Sequence, residues 1–221
     1  MLKVRYFRVE IPKGILGFSE SAAKLAATNN SPLRVIHSSK SEVVFNYACS
    51  RLITIRRILD DGSEAVETVP TVDVHNFRLF ETKKNRYLSI IDPPRSARLL
   101  TEVLDRVVGG DQFFIESVEF TPELIMKHAR KFDSARLVSA KVRDFEVYEG
   151  AVGRLEISSQ SGLMSTIAPF LENKFHRVDA LTYEVSQKFT QGLVYYYRNG
   201  TLKVSGPLVD LAFPTFESCF D

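Results

Sequence analysis

Two residues of the sequence, Asp73 and His75, are of types that could perform chemistry together. Residues two apart on a strand share a face, so this carboxylate can fix the tautomer of the imidazole and raise its basicity. A catalytic pair also needs a nucleophile, and a metal site needs a third ligand. An enzyme with a site near Asp73 and His75 is therefore one hypothesis, and a polar strand face is the simpler interpretation.

Other patterns that could carry chemistry are weak. The sequence contains no phosphate-binding or dinucleotide-binding glycine pattern, no G-x-S-x-G and no H-E-x-x-H. Asp144, Glu146 and Glu149 form an acidic cluster, but their spacing is that of a solvated strand face and fits no specific Mg²⁺ motif. We predict no catalytic residue, no metal site and no cofactor.

The basic residues are unevenly distributed and suggest a different class of function. Residues 1–98 hold 16 Lys and Arg against 10 Asp and Glu, a net charge of +6, whereas residues 99–221 have a net charge of −4. Such asymmetry can mark a half of the protein that faces a polyanion, although basic side chains also guard exposed sheet edges. The candidate nucleic-acid-binding residues are Arg56, Arg57, Lys83, Lys84, Arg86, Arg95 and Arg98.

These candidates belong to separate stretches of sequence. Lys83 and Lys84 lie in a predicted turn, whereas Arg95 and Arg98 lie three apart at the start of a predicted helix, where backbone N–H groups favour anions. The strand between the two groups is short, and at ~3.3 Å per residue they are roughly 20 Å apart. The sequence leaves open whether the basic residues converge on one surface.

Two further segments could bind partners. In the run Tyr195–Tyr197, alternation places Tyr195 and Tyr197 on one sheet face, where aromatic rings can either stack on bases or pack against neighbouring elements. The tail, residues 207–221, is rich in apolar residues and either docks on a partner or folds back over an open sheet face.

The first half of the chain reads as an antiparallel, β-rich segment that would position the basic residues. Lys3 to Ile11 alternates as a strand, and Ser19 is a fair N-cap for a short helix. Residues 33–92 read as a meander, with a hairpin at Asp60-Asp61-Gly62 and an interruption at Pro70.

The second half alternates strand-like and helix-like segments. A helix beginning at Pro93 connects the halves, and Thr121-Pro122-Glu123 is a strong helix start with a hydroxyl cap followed by proline. A second helix is predicted to open at Ser161 and to direct Met164, Ile167, Phe170 and Leu171 inward, and Arg198-Asn199-Gly200 is a hairpin signal. The order strand-helix-strand-strand-helix-strand is that of a ferredoxin-like, split β-α-β unit.

The predicted architecture is α+β, with an N-terminal antiparallel β-rich part packed with a C-terminal ferredoxin-like part. Its divisions are a β-rich part (1–92), a connecting helix (93–110), a ferredoxin-like part (111–206) and a closing tail (207–221). Two distant cysteines, no apolar stretch long enough for a membrane helix and no hydrophobic leader predict a cytoplasmic protein with no membrane partner.

The function predicted from the sequence is non-catalytic binding of nucleic acid or another polyanion. The first alternative is a protein–protein adaptor or self-assembling homo-oligomer that uses the open sheet face or the C-terminal tail. The second alternative is the enzyme described above.

Overall fold

A computed structural model describes residues 1–28, 31–94, 96, 98–109, 113–163 and 176–220. These residues form eleven strands and four α-helices, which confirms the α+β class. The chain divides into a larger compact unit, residues 1–9, 82–93 and 115–221, and a smaller one, residues 10–81 and 94–114. The linear divisions predicted from the sequence stay a prediction.

The smaller unit contains three strands and two helices. Its strands pair in the order β2-β3-β4, and both pairings are antiparallel. The elements are α1 (Gly14–Ala26), β2 (Leu33–Ser38), β3 (Glu42–Ile58), β4 (Glu64–Glu81) and α2 (Arg98–Val108).

One face of this three-stranded sheet carries the core of the smaller unit. Phe18 of α1 packs on Phe45 of β3, which stacks on Phe77 of β4 with ring centroids 5.1 Å apart. The apolar stripe predicted for α2 is confirmed, since Leu100, Val103, Leu104 and Val107 are all buried. Helix α2 begins at Arg98 in the described structure.

The predicted start of α1 at Ser19 is wrong. The helix begins at Gly14, because Ile15, Phe18 and Ala22 form a buried stripe that starts before Ser19. Ser19 instead lies inside the helix, where its hydroxyl contacts the hydroxyl of Ser38.

Strands β3 and β4 form one long hairpin. They pair over 17 consecutive positions without a register shift, from Glu42–Phe80 to Ile58–Glu64. The predicted hairpin at Asp60-Asp61-Gly62 is confirmed, with Gly62 at a φ of 80°. The predicted interruption at Pro70 is wrong, because β4 runs through it; proline is tolerated in a strand where its missing N–H would point away from the ladder.

The larger unit contains the remaining elements. Its strands are β1 (Leu2–Glu10), β5 (Arg86–Ile91), β6 (Phe114–Ser117), β7 (Ser134–Tyr148), β8 (Ala151–Ser158), β9 (Arg177–Gln187), β10 (Thr190–Tyr197) and β11 (Thr201–Val204). Its helices are α3 (Pro122–Ala129), α4 (Val209–Glu217) and a 3₁₀ turn at Gly206–Leu208. The strand order is β5-β1-β11-β10-β9-β7-β8, and β6 pairs with β1.

The ferredoxin-like arrangement predicted for the second half is not confirmed. Strand β6 pairs with β1 from the other end of the chain, and β7 lies between β8 and β9. A ferredoxin-like unit would instead place its first strand between the strands that follow it. The same sequence of elements therefore takes a different strand order, because β1, β10 and β11 extend the sheet.

Helices α3 and α4 supply aromatic and histidine side chains to one face of this sheet. Phe216 of α4 is fully buried and packs against Tyr6 and Phe120, with ring centroids 5.5 and 4.7 Å apart. Phe220 stacks on Tyr87 at 4.4 Å. The tail therefore folds back over a sheet face and is part of the core of this unit. This is the second of the two alternatives that the sequence left open.

Several local predictions in the second half are confirmed. Helix α3 begins after Thr121, whose hydroxyl accepts a hydrogen bond from the Leu124 N–H at 3.3 Å. The hairpin at Arg198-Asn199-Gly200 exists, but it is a three-residue loop in which Gly200 alone has a positive φ, of 80°. The helix predicted from Ser161 falls mainly on residues 164–175, which lie outside the described residues. Among the described residues, no helix is long and apolar enough to cross a membrane.

Candidate nucleic-acid interface

The basic residues predicted to bind nucleic acid lie in different places. Arg56 and Arg57 are exposed near the end of β3 in the smaller unit, where Arg57 lies 3.8 Å from Glu67. Arg98 is the first residue of α2 in the same unit. Arg56 lies nine positions along β3 from Tyr47, which contacts α2, and this is a span of about 30 Å at ~3.3 Å per residue. The structure therefore does not bring these arginines together.

The other predicted basic residues belong to the larger unit. Lys83 and Lys84 lie in the turn that precedes β5, and Arg86 is the first residue of that strand. Arg95 lies outside the described residues. The six described residues of this set therefore fall in both units, and the role of all seven in binding stays a prediction.

The pair Asp73 and His75 also has a defined setting. Asp73 forms an ion pair with Arg51 at 2.8 Å, and the cross-strand neighbours of Asp73 and His75 are Cys49 and Tyr47. Burial raises the pKa of the Cys49 thiol, with Glu102 and Asp73 acting in the same direction. This favours the protonated thiol over the thiolate that a nucleophile requires. Within the described parts of the chain, no group of three or more His, Cys, Asp or Glu residues is placed to hold a metal.

A different surface combines aromatic and basic side chains in one place. Tyr196 points inward and is fully buried, whereas Tyr195 and Tyr197 are half-buried on the opposite face of β10. The side chains of this outer face line a groove with a volume of about 810 Å³. Tyr195 and Tyr197 both keep part of their solvent-accessible surface on this face.

The pairing of six strands places polar residues beside each tyrosine. Each row crosses the sheet at one register position, so its members are neighbours on the same face. The row through Tyr195 runs Lys3, Lys203, Tyr195, Thr182, Ser139 and Ser158. The row through Tyr197 runs Arg5, Thr201, Tyr197, Ala180, Lys141 and Glu156.

Cations lie next to the tyrosine rings. The ammonium of Lys203 lies 5.3 Å from the ring centroid of Tyr195, within the range of a cation–π contact. Lys3 is the direct cross-strand neighbour of Lys203 and is exposed. Arg5 donates a hydrogen bond to Ser117 at 3.0 Å, and burial lowers the pKa of its guanidinium. These three cations lie on the β1–β11 side of the tyrosines.

Other cations of the groove are paired with carboxylates. Arg136 contacts Glu184, and Lys141 lies 2.8 Å from Glu156, a hydrogen bond that raises the pKa of the lysine. Both basic side chains are about half exposed. Ion pairs of this kind contribute about 0–1 kcal/mol, so a phosphate oxygen can replace the carboxylate at little cost.

A recess of about 290 Å³ adjoins the Tyr197 end of the groove. It is lined in part by Arg143, Arg177 and Arg198. Arg143 contacts Asp179, whereas Arg198 lies 2.6 Å from Glu119. Arg177 lies 3.4 Å from Asp144, so each of these three arginines is paired with a carboxylate. The tyrosine rows have cations at their β1–β11 end, and at β8 they end in Ser158 and Glu156.

The sequence analysis missed most of this surface. Alternation correctly predicted that Tyr195 and Tyr197 share a face, but it could not show which face the helices leave open. Lys3 and Lys203 are about 200 residues apart in sequence, and only the pairing of β1 with β11 makes them neighbours. No local signal reports such a pairing.

The fold and the groove define a protein with an open, mixed aromatic and basic sheet face. No protein-family model matches the chain, and a comparison with curated proteins gives no significant match.

Proposed function

We propose that the protein binds single-stranded nucleic acid through the outer face of the larger unit. The observation that carries this proposal is the position of Tyr195 and Tyr197, two half-buried rings on one open sheet face with Lys203 against one of them. An aromatic ring of this kind can stack on any base, which contributes about 1–3 kcal/mol per base.

The spacing of the two rings suits successive unpaired bases. Residues two apart on a strand are about 6.6 Å apart at ~3.3 Å per residue. Bases in a duplex are already stacked on both sides and cannot lie flat on a sheet, so a single strand is the substrate that fits this face. The hydroxyls of Thr182, Ser139 and Ser158 lie in the same row as Tyr195 and supply hydrogen-bonding groups for the bases or the sugar.

The surrounding cations would contact the phosphates. Lys3, Lys203 and Arg5 lie on one side of the rings, and the arginine-lined recess lies beyond Tyr197. Each neutralised phosphate releases counterions, so affinity falls as salt concentration rises. A cytoplasmic location belongs to the same proposal, and both cysteines, Cys49 and Cys219, are free thiols as a reducing compartment requires.

The test measures fluorescence anisotropy of a labelled 12-nucleotide oligothymidine with the full chain at 50 and 200 mM salt. We expect binding at the lower salt concentration, weaker binding at the higher one, and weaker binding of a duplex of the same length. Replacing Tyr195 and Tyr197 with alanine removes two stacking platforms, and each should weaken binding about 5- to 150-fold, which corresponds to 1–3 kcal/mol.

The matched control is Tyr148→Ala. This tyrosine lies at the end of β7, and 71% of its surface is exposed. Its removal should leave oligonucleotide affinity unchanged. No binding of the wild-type chain at 50 mM salt, or equal losses for the groove and control variants, would refute the proposed function.

A further inference from the structure

The distal part of the β3–β4 hairpin carries a second surface, independent of the groove. We define the arm as residues 48–74. Strand residues of even number share one face along both strands, since the register pairs even with even. On this face the side chains of Leu52, Val72 and Val74 are 72, 62 and 55% exposed.

These exposed apolar side chains lie next to one another. The cross-strand pairs on the even-numbered face include Ala48–Val74, Ser50–Val72 and Leu52–Pro70. A two-stranded hairpin is only marginally stable by itself, and a contiguous exposed apolar patch marks an interaction site. The face therefore needs a partner that covers it.

The charge of the arm argues against a polyanion as this partner. Residues 49–73 contain three basic and five acidic side chains, a net charge of −2. Arg56 and Arg57 are thus part of a net acidic element. The partner that fits is a protein surface with an apolar strip and charges of both signs.

A second copy of the chain has these properties. At the distal end of the even-numbered face lie Arg56 and Glu64, and at the proximal end lie Glu42 and Arg78, which are 2.7 Å apart. We infer that two copies associate through this face, with the arms antiparallel about a two-fold axis at the Ser50–Val72 pair.

This arrangement is self-complementary in charge and in shape. It brings Arg56 of one copy next to Glu42 of the other, and Glu64 next to Arg78. Leu52 then lies over Ala48 of the second copy, and the two Val72 side chains meet on the axis. An isologous contact of this kind closes on itself and stops at a dimer.

The area of the contact strip on the even-numbered face sets the expected affinity of the dimer. Eight residues at ~3.3 Å and two strands at ~4.8 Å give a strip of roughly 26 by 10 Å per copy. A standard stable interface buries about 800 Å² per partner, so this contact is a small one. We expect a reversible dimer that forms in the micromolar range or above.

The experiment is sedimentation equilibrium of the full chain between 5 and 500 μM. The wild type should show a concentration-dependent dimer. Val72→Asp places two carboxylates on the axis and should leave a monomer at every concentration. The matched control is Val152→Asp, because this valine of β8 is 72% exposed, against 62% for Val72, but lies in the larger unit. The Val152→Asp variant should dimerise as the wild type does.

A double exchange, Arg56→Glu with Glu64→Arg, tests the charge pattern while keeping the net charge of the arm. It should weaken dimerisation at least fivefold. If the wild type is a monomer throughout the concentration range, the inference is overturned, and the partner of the arm is then a different protein. A dimer that persists in Val72→Asp overturns it as well. Neither result bears on oligonucleotide binding, which is measured at nanomolar protein.

Discussion

A buried histidine makes the stability of the larger unit depend on pH. His128 of α3 is fully buried, with its Nδ1 atom 2.7 Å from the hydroxyl of Tyr196. The rings of Phe132 and Phe216 lie 5.0 and 5.1 Å away. Burial in this aromatic environment lowers the pKa of His128 to about 3, although the Ala212 backbone acts in the opposite direction.

The sign of the effect follows from proton binding. An unfolded histidine has a pKa of about 6.5, so below this pH the unfolded chain binds a proton that the folded chain excludes. The free energy of unfolding should therefore fall as pH falls from 6.5 towards 3. At pH 5 the loss is about 2 kcal/mol, from roughly 1.4 kcal/mol per pH unit. This figure hardly changes if the folded pKa is a unit higher.

The assay is urea denaturation followed by far-ultraviolet circular dichroism at several pH values from 7.5 to 5.0. His128→Asn keeps a polar group near Nδ1 but cannot titrate, so the stability difference between wild type and variant should shrink by about 2 kcal/mol over this range. His37→Asn is the control, because His37 is exposed on β2 and its removal should preserve the slope. Parallel curves for wild type and His128→Asn would refute the reasoning.

Two further substitutions test the sheet that carries the groove. Gly200→Ala should destabilise the chain by more than about 2 kcal/mol in urea titrations, since the residue has a positive φ and a Cβ would lie 2.4 Å from a backbone oxygen. Gly150→Ala, also at positive φ but with nothing within 4 Å, should cost only about 1 kcal/mol, and equal losses would contradict this explanation. Tyr196→Phe removes the hydroxyl that contacts His128 and should cost about 1–3 kcal/mol. The oligonucleotide affinity of Tyr196→Phe should stay within twofold of the wild type. A loss of affinity at unchanged stability would show that the inner face takes part in binding.

The features that the sequence predicted correctly depend on local chemistry. The helix start at Thr121 follows from a hydroxyl cap and a proline, and the turn at Gly200 follows from a residue that accepts positive φ. The stripe of α2 follows from helical periodicity. Each of these signals lies within about ten residues, so no knowledge of the rest of the chain is needed.

The errors arose where distant segments decide the outcome. In sequence, Pro70 suggests the end of a strand. In the two-stranded hairpin it is tolerated, because its missing N–H would point away from the ladder. The repeated strand and helix pattern suggested a ferredoxin-like order, yet β1 pairs with β5, β11 and β6 and so joins both ends of the chain. The alternation of apolar and polar residues shows which side chains of a strand share a face, but it does not show which strands pair with it.

The candidate interface shows the same division between local and distant information. Three consecutive tyrosines must alternate between faces, so the sequence alone predicts that Tyr196 is separated from Tyr195 and Tyr197. The inward face is fixed by His128 and Phe216, which come from two helices on either side of β10 in sequence. Both helices contact the Tyr196 side, and Tyr195 and Tyr197 stay partly exposed on the other side.

This arrangement ties the stability of the sheet to the exposure of its candidate binding face. The C-terminal helix, whose apolar residues were expected either to dock on a partner or to fold back over a sheet face, fills the inner face with Phe216. A binding surface on the outside of β10 therefore needs a packed core on the inside, and the same strand supplies both. Lys3 and Lys203, two of the cations beside the tyrosine rows, belong to the paired strands β1 and β11. The net charge of the two halves of the sequence pointed to the N-terminal half as the basic one. Strand pairing instead brings cations from both ends of the chain together, so counting charges in each half could not locate the outer face of β10.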